Sequence, residues 1–109
     1  MIAHVVLFRP RADLTAAERD GLVVAFERAL GAIPSIRRAR VGGRVLHECR
    51  YQRLMKEDYP YAAVIEFDDL AGLTAYLDHP AHEQLATRFF TALEAALIYD
   101  FDLKDGAAQ

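Results

Sequence analysis

The chain has almost nothing to crosslink with. Cys49 is the one cysteine among 109 residues, which excludes an intrachain disulfide and a cysteine zinc cluster and leaves an inert thiol. No stretch approaches the ~20 continuous apolar residues of a membrane span, so no membrane partner is expected. Four prolines and six glycines are too few for a linker or a low-complexity segment. The start, Met1 to Arg9, carries neither the basic opening nor the small-residue cleavage site of a secretory leader, and a cytoplasmic protein is the expectation. A net charge of −3 and the lack of interleaved aromatic residues argue against nucleic acid.

What is present is apolar residues, 53% of the chain, enough for one core in one domain covering residues 1–109. Basic residues gather in one segment, Arg37, Arg38, Arg40, Arg44, Arg50, Arg53 and Lys56. Two readings stand for it, a solvated face paired with acidic neighbours or an anion-binding rim.

Taken in order, Ile2 to Phe8 reads as a strand with Ile2, His4, Val6 and Phe8 on one side and Ala3, Val5 and Leu7 on the other. Thr15 with Glu18 forms a capping box that opens a helix running to about Leu30, with Leu22, Phe26, Ala29, Leu30 and Ile33 on its buried stripe. Gly31 is expected to end it. Ile36 to about Leu46 reads as a second strand with a bulge or close backbone approach at Gly42-Gly43. His47 to Pro60 reads as a loop able to fold over a pocket mouth, with His47 exposed. Tyr61 to Phe67 is a third strand. Asp68 or Asp69 caps a short helix with Leu70, Leu73 and Leu77 inward. Pro80 ends that helix and opens a longer one, with His79 as its cap and Leu85, Phe89, Leu93 and Ala96 on one stripe. Leu97 to Leu103 is the last strand, and Gly106 to Gln109 a frayed tail.

The order strand, helix, strand, strand, helix, strand predicts an α+β, ferredoxin-like βαββαβ protomer. Both helices then lie on one face of the sheet, yet strands one and three are apolar on both sides. The bare face calls for a second copy, which predicts a homodimer, a dimeric α/β barrel, that buries the sheet face carrying His4.

Four stretches carry a family resemblance: Ile2-Ala3-His4-Val5-Val6-Leu7-Phe8, Glu66-Phe67, the His-Pro-x-His element within Tyr76 to His82, and Tyr99-Asp100-Phe101. Through them nearly the whole chain resembles the stress-responsive dimeric α/β-barrel family. The resemblance implies a homodimer with a barrel formed across it. Some members are associated with plant stress responses, and one plant member is a polyketide cyclase that closes a linear tetraketide by aldol condensation without a cofactor. Its catalytic tyrosine and histidine match Tyr76 and His82, and its strand-one pocket histidine matches His4. Where it has a second pocket histidine this chain has Tyr61, and where it has a tyrosine on the first helix this chain has Phe26. His4, Tyr61 and Phe26 are therefore the substrate-binding candidates, for a small apolar or β-keto ligand with no cofactor.

Each candidate also has a structural reading. A neutral imidazole at His82 can act as a general base, or can be a core group satisfied by a carbonyl or by Tyr76. The Tyr76 phenol can hold an oxygen that becomes an enolate, or pack as a core ring. His4 lines a cavity or sits in the core. His79 and His82 are three positions apart with no third ligand, so no metal site is expected. The function classes left open are a cofactor-independent cyclase or lyase, a non-catalytic ligand-binding or stress-response dimer, and a structural dimer with no void. On fold alone, the same barrel architecture also serves haem-degrading and cofactor-free monooxygenases.

Overall fold

The computed structural model describes residues 1–106. Strand β1 (Ile2–Pro10) leads into helix α1 (Ala16–Ala32), then β2 (Arg38–Gly43), a short 3-10 helix (Arg50–Leu54), β3 (Tyr61–Phe67), α2 (Leu70–Asp78), α3 (Pro80–Ala92) and β4 (Leu93–Asp102). The strands form one antiparallel sheet in the order β2-β3-β1-β4. This is the ferredoxin-like arrangement, with the helices on one face.

The local signals act as their chemistry requires. Thr15 and Glu18 form a reciprocal capping box at the start of α1, and α1 continues through Gly31 for one residue more before Ile33 ends it. Asp69 accepts from the Gly72 amide at 3.0 Å to open α2. His79 ends α2 and caps α3, its Nδ1 accepting from the Ala81 amide at 3.0 Å while Pro80 fills the first helical position. His79→Ala should therefore cost about 1 kcal/mol of stability, the usual value of an N-cap, measured as a lowered urea midpoint at unchanged slope.

Opposed residues of an antiparallel ladder share a face. His4 pairs with Ile65 and Asp100, Val6 with Ala63 and Ile98, and Phe8 with Tyr61 and Ala96. Val6, Phe8, Ala63, Ile65 and Phe67 are buried with Leu22, Phe26, Leu73, Tyr76, Leu85 and Phe89 of the helices in one core. The face carrying His4 is thus the one the helices cover, which corrects the expectation that a dimer would bury it. The other face holds Val5, Leu7, Ala62, Val64, Leu97, Tyr99 and Phe101, with Tyr99 58% and Phe101 50% exposed. The molecule is 16 Å deep in its shortest direction, the depth of one helix layer on one sheet, so no helix among the described residues covers this face.

Other expectations are corrected. Strand β2 stops at Gly43 and pairs with β3 in unbroken register through Gly42 and Gly43. Neither glycine marks a bulge or a close approach, since a Cβ added at Gly43 would meet nothing nearer than 3.8 Å and one at Gly42 nothing within 4 Å. The irregularity of the sheet lies instead between Arg9 and Pro10 against β4, where proline has no amide hydrogen to donate. Helix α3 ends at Ala92, so Leu93 and Ala96 belong to β4 rather than to the helical stripe. Leu70 is 65% exposed and Leu77 41%, leaving Leu73 and Tyr76 as the inward residues of α2. No helix among the described residues is long and apolar enough to cross a membrane. Of the tail expected from Gly106, residues 107–109 lie outside the described residues.

Candidate functional site

The break between α2 and α3 decides where the polar rings go. Tyr76 lies on the last turn of α2, and His79 with Pro80 turns the chain so that His82 falls in the first turn of α3. The two side chains then face each other beneath the helices, with ring centroids 4.5 Å apart. His4, from the central strand β1, meets Tyr76 edge-on at 5.5 Å. These rings line one cavity of ≈ 250 Å³ whose remaining walls are apolar, among them Val6, Leu85, Phe89, Phe90, Leu93 and Ile98.

Burial sets the protonation of the pair. Tyr76 is 2% exposed, and burial, with the charge of Asp100 added, pushes its hydroxyl up to about 12. It is a neutral donor at any physiological pH and cannot serve as a base. Burial also pushes His82 below the ordinary imidazole value, and His4 adds to the effect, while the Leu77 backbone and Glu83 oppose it and are outweighed. His82 is therefore a neutral imidazole at neutral pH, and its buried Nδ1 has no hydrogen-bond partner. Leaving a buried nitrogen unpaired carries a cost that folded proteins rarely bear.

Asp100 is the residue that sequence reasoning missed. Its Oδ1 accepts from His4 Nδ1 at 2.5 Å, which holds the ring. The signal was a carboxylate among apolar residues of β4, and only the β1–β4 register makes it informative by placing Asp100 opposite His4.

Two candidates do not join this group. Phe26 is buried against Phe89 at 5.2 Å, and Tyr61 stacks on Phe8 at 5.4 Å. Both line a separate apolar cleft of ≈ 50 Å³. The segment expected to cover the pocket mouth lies elsewhere as well: Leu54 to Glu57 and Tyr59 border a groove with Leu7, Ala62 and Leu97 on the open side of the sheet. His47 is exposed and contacts Tyr51 Oη at 2.9 Å.

Three of the seven basic residues of the segment pair with neighbouring carboxylates. Arg37 pairs with Asp68 at 3.0 Å, Arg40 with Glu66 at 3.2 Å and Arg44 with Asp58 at 2.5 Å, which is the arrangement of a solvated, paired face. Among the described residues no three His, Cys, Asp or Glu side chains gather as they would around a metal ion.

Comparison with known proteins gives the following. A family model described as the stress responsive A/B barrel domain matches residues 2–103. No curated protein matches. Among solved structures, a dimeric ferredoxin-like protein of unknown function from Thermobifida fusca is 25% identical, with 94% of this chain and 90% of that chain covered and a TM-score of 0.75. A Dabb family protein with a ferredoxin-like fold from Mesorhizobium loti is 25% identical over 95% of this chain and 97% of that one, at a TM-score of 0.78. A hydroxynitrile lyase from Passiflora edulis is 16% identical over 96% of this chain and 94% of its own, at a TM-score of 0.80. That last likeness speaks to the fold alone.

Proposed function

From the premise that the chain belongs to the stress-responsive A/B barrel family, we propose that it is a homodimer whose protomers each bind a small apolar carbonyl compound of the β-keto class. We propose further that Tyr76 and His82 move a proton next to that carbonyl, in the manner of a polyketide cyclase. The observation that carries the reading is the meeting of Tyr76, His82 and His4 at a cavity, with His82 Nδ1 buried and unpaired.

The roles follow from the two shifted groups. The neutral His82 imidazole accepts a proton from the carbon beside the carbonyl. The electron pair left behind passes to the carbonyl oxygen, and the Tyr76 hydroxyl donates a hydrogen bond to the enolate as it forms. The enolate carbon then attacks a second carbonyl of the same molecule, and the proton on His82 goes to the new alkoxide. Nothing is oxidised or reduced, so no cofactor is called for. His4, fixed by Asp100, borders the same space and orients the substrate.

The homodimer has its own support. The face with Val5, Leu7, Tyr99 and Phe101 is apolar and carries no helix among the described residues, and solved relatives are described as dimeric. Covering that face with a second copy leaves the helix-side cavity untouched.

The test is deuterium exchange on phenylacetone, a ketone of a size that fits, followed by NMR in heavy water. Exchange should exceed the buffer rate and hold steady at and above pH ~6.5, the ordinary imidazole value. The lowered pKa of His82 places the acid limb below that point, because protonation removes the base. Binding without any acceleration would replace the catalytic reading by that of a ligand-binding dimer.

A further inference from the structure

We propose that Phe89 is the partition that sets how large a molecule the cavity accepts, an inference that rests on reading the cavity as a carbonyl-compound site. The cavity beside His82 measures ≈ 250 Å³, below the ~300–1,000 Å³ of pockets for drug-sized ligands. It suits a compound of about ten non-hydrogen atoms, at the packing density of protein interiors. A second space of ≈ 50 Å³ lies beyond it, walled by Leu22, Phe26, Val41 and Tyr61. Among the described residues, Phe89 is the one side chain that lines both.

Its ring is held on two sides. Phe8 meets it edge-on at 5.3 Å and Phe26 lies tilted against it at 5.2 Å. The residue is 8% exposed, and its packing against these two rings restrains its rotamer. A ligand whose carbonyl lies against Tyr76 and His82 therefore finds its hydrocarbon end stopped at Phe89. The cleft behind is apolar apart from Arg19 and Glu27 at its border, and it would take more alkyl chain if the ring were shortened. The chemical class selected is an uncharged carbonyl compound whose hydrocarbon part is about as large as one ring.

The experiment is NMR titration of the full chain with two probe pairs, hexan-2-one with decan-2-one, and toluene with hexylbenzene, which have no carbonyl. In Phe89→Leu the preference for the longer member of each pair should rise at least tenfold over the wild type. Leu22→Ala, which widens the cleft behind the partition and leaves the ring in place, should keep the wild-type preference. If Phe89→Leu fails to fold, Phe89→Met supplies the same readout. An unchanged preference in the folded Phe89 variant overturns the proposal, as does an equal shift in Leu22→Ala, which would report general loosening of the core. The two readings fail separately. Should the hydrocarbon pair shift while the ketones bind no more tightly than hydrocarbons of similar length, the partition stands and the carbonyl reading falls. Should ketones be preferred over hydrocarbons with no shift in either pair, the carbonyl reading stands and the partition falls. Failure of every probe to bind any variant overturns both.

Discussion

His82→Ala and Tyr76→Phe are each expected to lower exchange or turnover on a carbonyl substrate by roughly 10²-fold or more, the scale at which a positioned acid or base contributes. The two losses differ in kind. Removing the imidazole takes away the proton acceptor, so the acid limb of the pH profile should vanish with the rate. Removing the phenol oxygen leaves the base but deletes the hydrogen bond that strengthens as charge reaches the carbonyl oxygen. Its effect should fall on kcat more than on KM. Tyr76→Phe keeps the ring that packs against Phe67 at 5.2 Å and His4 at 5.5 Å, so an unchanged circular dichroism spectrum separates chemistry from folding. Full turnover in both variants would end the catalytic assignment.

Tyr99→Asp is expected to dissociate the dimer. Tyr99 lies on the open face in register with Val5 and is 58% exposed in the protomer, so the aspartate is solvated in the separate chain and fold stability changes little. Pressed against a second apolar sheet, the carboxylate would be desolvated without a partner, a loss of about 3–5 kcal/mol. That corresponds to a dimer dissociation constant raised by roughly 10²- to 4 × 10³-fold. Analytical ultracentrifugation at micromolar concentration reads this directly. A wild-type chain sedimenting at 12.2 kDa would remove the dimer, and a Tyr99→Asp variant as tightly paired as the wild type would move the interface to another surface.

Much of this architecture was legible because its punctuation is local. The Thr15–Glu18 box and the His79-Pro80 cap act within a few residues, so the element order could be read directly, whereas the pairing of Tyr76 with His82 was implied by the family resemblance. The side of the sheet that carries His4 could not be read. Period-two alternation identifies a face only when one side is polar, and β1 is apolar on both, so the pattern does not say which side the helices choose. The start of β4 was hidden for a different reason. Leu93 to Leu97 is made of leucine, glutamate and alanine, good helix formers, and pairing with Arg9 and Pro10 of β1 overrides that preference. Leu70 and Leu77 fit a helical stripe, but α2 is only nine residues long and turns Leu73 and Tyr76 inward instead. Asp100 needed the register of two strands 96 residues apart in sequence.

One sheet serves two purposes on alternate residues. Along β1, His4 and Val6 look into the cavity while Val5 and Leu7 look out of the open face, because side chains alternate at every step. A lineage can therefore change what the cavity accepts by substituting even-numbered positions and leave the odd-numbered face as it is. Inheritance of the assembly and divergence of the ligand become separable at the level of single codons. An ancestral scaffold of this kind can diversify its chemistry without first having to relearn how to fold or to pair.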